Sequence, residues 1–375
     1  MTNSTPFKLG HSNKPDWQDA IDDCLQQTGD STGANLAFLY VTDGYARDLG
    51  KILRSLKQKT GIPHWVGSVG AAINCTNTEY YDQPAMAMML GSFPENSFTI
   101  FNHAEDTHHL TATDTTDNVM SGVRIALVHG DPRNGQLPQV LEQLPDSLGN
   151  GYLIGGITSS ESQLFFQIAD EITEGQLSGV VFNDNIPIAS GLSQGCTPIG
   201  QTHMLTDCDN HMAISIDNRP ALDVFREEIG EVLAKDINRA AGYIFAAFPV
   251  RGSDTADYMV RNIIGIDPQN NMLAIADQMK PETPIMFCRR DGRAAIRDMR
   301  RMLNQLKMRT GDATPRGGIY ISCMGRGRHL FGDDAREMKM ISEVFGEIPI
   351  VGFYANGEIA GQRLYGYTGV LTLFL

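Results

Sequence analysis

The sequence predicts a mixed α/β (α+β) fold in two domains, with packed sheets under outer helices. Three observations predict it. Short apolar runs alternate with helical patterns along the chain. The order strand, helix, strand with a glycine turn, strand returns more than once. A chain of 375 residues also exceeds what one hydrophobic core usually serves.

The first unit opens with NLAFLYV, residues 35–41, whose continuous apolar run reads as a buried strand. RDLGKILRSLKQKTG follows and places Leu49, Ile52, Leu53 and Leu56 on one helical face. IPHWVGSVGAAI is then a strand running into a glycine turn, and AMAMMLGSF closes the unit. A second unit starts at RIALVHG, residues 124–130, with a helix carrying Val140, Leu141 and Leu144. GYLIGGITSSES brings its glycine turn and LSGVVF its closing strand. A third reads as PIMFCRR, a helix with Ile296, Met299, Leu303 and Leu306, then GGIYISCMGRGRHLFG, IPIVGFYANGEIAG and GVLTLFL. A weaker fourth copy lies between, with a helix at Leu222, Phe225, Ile229 and Val232 and strands GYIFAAF and NMLAIAD.

The repeat is too long and too few for a solenoid. It fits duplicated units whose glycines sit where backbones approach closely or take φ > 0. The expected domains are a polar N-terminal segment with a helix over 1–30, a domain over 31–210, and a second over 211–375. Phe101–Asn118, FNHAEDTHHLTATDTTDN, reads as a polar connection.

A net charge of -14 disfavours nucleic acid and anionic membrane surfaces as partners. The longest apolar runs are far shorter than the roughly 20 residues of a membrane span, so no membrane insertion is expected. The N-terminus lacks a basic start before an apolar core, which argues against a signal peptide. Six scattered cysteines without a C-x-x-C pair point to a reducing, cytoplasmic setting.

Five motifs in order resemble the FIST family (F-box and intracellular signal transduction). They are GGITSS, GCTPIG (Cys196–Gly200 with its preceding glycine), CMGRG (Cys323–Gly327), PIVGFYANGEIAG (Pro349–Gly361) and LYGYTGVLTLF. The resemblance covers nearly the whole chain from about residue 31. The first unit departs from it: GSVGAAINCTN carries no acid where relatives have Gly-Glu, so that corner is expected to lack a charge. The resemblance implies an FIST N-terminal sensory domain, a C-terminal domain, and sensing of a small ligand with transmission to a separate partner. One branch of stand-alone bacterial members is similar in size and is a haem-based nitric-oxide sensor acting on a histidine kinase.

The resemblance and the polar turns together place the expected ligand site at Gly155, Gly156, Ser159, Cys196, Cys323, Gly325, Arg326, Gly327, Asn356 and Glu358. Cationic and anionic groups there suit an amino acid-like zwitterion. Cys196 is set between glycines and Pro198; it reads as a small thiol in a tight turn rather than a nucleophile, because no catalytic-cysteine signature accompanies it. No enzymatic activity is therefore expected, with a cysteine-dependent enzyme or a protein-binding adaptor as the rival classes. For haem b the candidate axial ligands are His64 and His203, with His129 behind them; 17 methionines could line a cavity, and no C-x-x-C-H supports covalent attachment. His103, Glu105, Asp106, His108, His109, Asp114 and Asp117 include metal-ligand types but lack the spacing of a helical zinc site, so they read as a solvated loop. Arg293, Arg297, Arg300 and Lys307 are expected on the outer face of their helix.

Overall fold

A computed structural model describes residues 6–104, 123–234, 243–250 and 257–375. Glu105 to Asp117 of the acidic, histidine-containing segment lie outside the described residues. The chain forms two compact units. One comprises residues 1–193, 299–364 and 368–375, and the other residues 194–298 and 365–367.

The larger unit is built three times over from one plan: strand, helix, glycine strand, hairpin, closing strand. In the first copy these are Leu36–Thr42, Leu49–Thr60, His64–Gly70, Ala72–Cys75 with Thr78–Tyr81, and Met86–Gly91. In the second they are Val123–Gly130, Leu137–Ser147, Tyr152–Ile157, Gln167–Ala169 with Glu171–Thr173, and Leu177–Asn183. In the third they are Gly317–Cys323, Arg336–Phe345, Ile350–Ala355, Glu358–Ala360 with Arg363–Tyr365, and Thr368–Phe374. Each copy pairs its first strand parallel to its glycine strand and antiparallel to its closing strand.

The hairpins are exchanged in a ring. The second copy's hairpin extends the first copy's glycine strand, the third extends the second, and the first extends the third. Lys8–Ser12, Phe98–Phe101 and Ile188–Gln194 then pair with the three closing strands, so three six-stranded sheets share one plan. PIMFCRR was expected to begin the third copy, but that copy starts at Gly317. The PIMFCRR strand, Thr283–Arg290, belongs to the smaller unit.

The glycines expected in turns lie inside strands. A Cβ at Gly67 would stand 1.7 Å from the Leu39 carbonyl oxygen, at Gly155 1.9 Å from that of Val128, and at Gly352 1.7 Å from that of Tyr320. All three face the parallel neighbour within their own copy, and only glycine leaves room for that close approach.

The outer helices bury the faces that the sequence marked. Leu49, Ile52, Leu53 and Leu56 pack with Trp65, Met86 and Met88, while Leu141 and Leu144 cover the second sheet with Leu153. Each fully buried leucine contributes about 1.5–3 kcal/mol. Arg293, Arg297, Arg300 and Lys307 are exposed on helix Gly292–Thr310, as expected.

The smaller unit is a single antiparallel sheet that closes on itself. Cys196–Asp209 pairs with Thr283–Arg290 on one side and Met212–Ile216 on the other, completing a ring through Ile244–Pro249, Tyr258–Asp267 and Met272–Ile275. Leu222, Phe225 and Ile229 of helix Ala221–Ala234 fill its apolar face. The expected fourth copy is therefore part of this antiparallel sheet. GCTPIG is likewise not a turn: Cys196 to Gly200 begin a strand, with Cys196 opposite Arg290 and Pro198 opposite Cys288.

Candidate functional site

The exchanged hairpins determine which side chains meet. Ala72–Cys75 lies beside Ile350–Ala355, with Asn74 opposite Gly352, and Thr78–Tyr81 follows with Asn74 opposite Glu79 and Ala72 opposite Tyr81. Strand alternation then puts Tyr320, Ser322, Tyr354, Asn74, Glu79 and Tyr81 on one face of the third sheet. That face carries tyrosines, a carboxyl and an amide where a core face is usually aliphatic.

Glu337 organises it from helix Arg336–Phe345. Its carboxylate accepts from the Tyr320 hydroxyl at 2.7 Å, the Ser322 hydroxyl at 3.1 Å, Arg326 Nε at 2.9 Å and the Gly327 backbone N–H at 3.0 Å. Arg326 also donates to the Ser193 carbonyl at 3.0 Å and the Ser193 hydroxyl at 2.9 Å, and lies over the Phe331 ring. The arginine expected to offer a basic turn to a ligand thus meets the protein's own carboxylate. With both partners buried, the pair fixes the Cys323–Gly327 turn.

The GRG and GEI motifs come together here. Glu358 is buried, and its Oε2 accepts from the Thr368 N–H at 3.0 Å and the Thr368 hydroxyl at 2.7 Å. The Cys323 thiol and the Arg326 charge also favour its ionised form, but burial outweighs them and pushes the Glu358 carboxyl up to about 8. Its Oε1 has no hydrogen-bond partner. Gly325 N–H approaches Cys323 Sγ at 3.4 Å. Asn356 Nδ2 donates to the Thr158 carbonyl at 3.1 Å, and Ser159 Oγ bridges the Ala71 N–H and the Tyr354 carbonyl. Gly155 and Gly156 are packing positions in Tyr152–Ile157; Gly156 sits against Ala355, Ile321 and Phe353. Cys196 lies in the smaller unit, buried beside Cys288, with its carbonyl accepting from the Tyr258 hydroxyl at 2.6 Å.

The sequence reading missed Glu79, Asn74, Tyr81, Tyr354 and Glu337. The corner expected to lack an acid has one: Glu79 arrives one strand later, opposite Asn74. Burial, and then the Glu337 charge, push its carboxyl up to about 7, although Tyr81 donates to its Oε2 at 2.8 Å. The alternation in Thr78–Tyr81 was the available signal, because Glu79 and Tyr81 share a strand face.

The three histidines differ sharply. His203 engages both ring nitrogens, Nδ1 with Asp217 at 2.7 Å and Nε2 with Glu228 at 2.9 Å, which leaves none for iron. His129 is sealed among Tyr40 and Phe353, and burial lowers it to about 3. His64 holds Nδ1 to Asp170 at 2.8 Å, the carboxylate anchoring usual for a metal-bound imidazole. It borders a surface depression of about 500 Å³ with Pro63, Pro94, Phe98 and Ile100 among its lining. Asn35, Glu95, Asn96, Thr99 and Asp170 line the same depression. Among the described residues, no group of three or more His, Cys, Asp or Glu could hold a metal ion.

Residues 35–219 match the FIST N domain and residues 221–361 the FIST C domain. An uncharacterized protein of Mycobacterium tuberculosis is 28% identical over 339 residues, covering 83% of each chain. One of Mycobacterium bovis is 26% identical over 394 aligned positions, covering 98% of each. No helix among the described residues is long and apolar enough to cross a membrane. With five motifs in order and both domains matched across residues 35 to 361, this chain belongs to the FIST family.

Proposed function

We propose that this protein senses a small polar ligand and passes that state to a separate partner protein, such as a histidine kinase. FIST domains are linked to signal transduction and small-ligand sensing, which gives the reading its class. The observation that carries it to particular residues is the set of buried polar atoms without protein partners around the GRG and GEI motifs. Both amide atoms of Asn74 and Glu358 Oε1 belong to it, while the Glu79 carboxyl and the Tyr354 hydroxyl bond to one another and to Tyr81. Native interiors satisfy nearly all such groups, so a cluster of exceptions marks where a polar guest is received. An amino acid-like molecule carries the donors and acceptors this set lacks.

The mechanism is a population shift: the ligand favours one arrangement of the elements around its site and so alters a partner-binding surface. The protein does no chemistry of its own in this reading, and it works in the cytoplasm, where six thiols outside any disulfide persist. A thermal-shift series with amino acids and other polar metabolites tests it, followed by partner autophosphorylation with and without each hit. A raised melting temperature that never alters a partner would overturn the signalling part.

His64 supports a second reading, the haem-based nitric-oxide sensor. In it His64 would hold iron with Asp170 orienting the imidazole, and the haem would supply a gas-binding site. The absorption spectrum after adding haem decides this. A sharp Soret band that shifts with nitric oxide and is lost in His64→Ala supports it; only the broad band of free haem removes it.

A further inference from the structure

We propose that the polar face of the third sheet, beneath helix Arg336–Phe345, binds a small primary ammonium compound. Glu79 holds the charged head, and Asn74 and Tyr354 bind its polar remainder. The proposal rests on the sensor reading above and names the chemistry of its ligand.

Three side chains converge on one place by strand register. Asn74 lies opposite Glu79 across the hairpin and opposite Gly352 on its other side. Tyr354 is two residues beyond Gly352 on the same face, and its ring lies 5.2 Å from that of Tyr81. The Tyr354 hydroxyl lies beside the Glu79 carboxyl and the Tyr81 hydroxyl and shares hydrogen bonds with them, which leaves the Asn74 amide as the unanswered group of the three. Asn74 is 0% exposed and Tyr354 1% exposed, so bulk water does not serve them. Neither the oxygen nor the nitrogen of the Asn74 amide has a partner. A site lacking both a donor and an acceptor suits a guest that supplies both.

The charge balance chooses the guest's sign. Glu337 faces Glu79 from the helix, but its own charge is answered by Arg326. Arg328 is engaged by Asp82 and lies over the Tyr81 ring, 4.5 Å from its centroid. Both arginines of the turn are thus committed, and no basic side chain among the described residues is paired with Glu79. An anion would add to the repulsion between two carboxyls. An ammonium would relieve it, and the Tyr354 ring offers a face that attracts cations. Glu79, Asn74 and Tyr354 offer fewer oxygens than a calcium ion takes, which favours an organic cation over a metal.

The test is differential scanning fluorimetry of the full chain at pH 8 with ethylammonium, ethanolammonium and ethylenediammonium. Sodium, potassium and magnesium chlorides at matched ionic strength serve as controls. Wild type, Glu79→Gln and Tyr354→Phe are compared. The expected result is a saturable rise in Tm of roughly 3 °C with at least one amine, lost in Glu79→Gln and needing about tenfold more amine in Tyr354→Phe. The apparent affinity should fall about tenfold per pH unit below pH 7 in wild type, as Glu79 takes up a proton in competition with the guest.

No rise with any amine, an equal rise in Glu79→Gln, or an equal rise with the inorganic salts overturns the proposal. Should Glu79→Gln fail to fold, Tyr354→Phe and the pH dependence decide alone. A metabolite panel run on the same proteins separates the two readings. Hits that stabilise wild type and Glu79→Gln alike reject this site but keep the sensor, whereas a flat panel rejects both.

Discussion

The guanidinium of Arg326 and the carboxylate of Glu337 meet at 2.8 Å with both side chains 0% exposed. Glu337 also accepts from Tyr320, Ser322 and the Gly327 N–H, so this one carboxylate ties strand, turn and helix together. Removing one member leaves the other charge buried and unanswered. Glu337→Ala is expected to lower stability by about 3–5 kcal/mol in urea unfolding. Replacing both by methionine should cost less than either single truncation. A double variant weaker than both would show that the pair's attraction, rather than the orphaned charge, dominates.

Gly67, Gly155 and Gly352 predict a matched set of losses. Each would bring a Cβ within 2 Å of a neighbouring carbonyl oxygen, closer than any repacking of side chains can absorb. Alanine at each site is expected to cost about 4 kcal/mol or more, at the severe end for single substitutions. Gly61→Ala is the comparison: it meets only a left-handed backbone at φ 69° with nothing within 4 Å, and should cost about 1–2 kcal/mol. Soluble yield and melting temperature read both. Mild losses at all three strand positions would mean that the parallel pairs can separate freely.

Much of the fold was legible because apolar periodicity is a local signal. Leu49, Ile52, Leu53 and Leu56 declared their helix face, and the recurring glycine strand declared the duplication. What the sequence hid was non-local. Nothing within PIMFCRR distinguishes a strand of the third copy from one in the smaller unit, since both bury consecutive apolar residues. The candidate site was legible in its motifs and hidden in its partners. Arg326 and Glu358 stood out, but nothing in the local pattern singled out Glu337. Glu79 came from a hairpin more than 270 residues before Tyr354, placed there by strand exchange.

Glu358 should make stability fall with rising pH. Its folded carboxyl is pushed up to about 8 by burial, so the folded state keeps a proton that the unfolded state releases near 4.5. Below about pH 4.5 both states are protonated and nothing is lost. As pH rises from there to about 8, the unfolded state gains progressively from ionisation, and the penalty levels off above that. Glu358→Gln keeps an acceptor for Thr368 without the titration. It is expected to match wild type near pH 5 and exceed it by on the order of 3 kcal/mol at pH 8.5. Parallel urea midpoints across the range would contradict a carboxyl that burial keeps protonated.

His203 carries the opposite instruction for the smaller unit. Burial alone would lower its pKa, but hydrogen bonds to Asp217 and Glu228 outweigh that and raise it. A raised imidazole stabilises the fold fully below its unfolded value of about 6.5 and loses that contribution as pH climbs through the folded value. Asp217 is lowered by the same contact, so its share holds above about 3.8 and fades as pH falls below it. The clamp is strongest between those limits. Glu228 lies on helix Ala221–Ala234, so this contact pins the helix to strand Cys196–Asp209. His203→Gln is expected to destabilise by on the order of 1.5 kcal/mol at pH 5.5 and by clearly less at pH 8.5. Hydrogen exchange should quicken in helix 221–234 of the variant at the lower pH. A loss equal at both pH values would assign His203 a packing role alone.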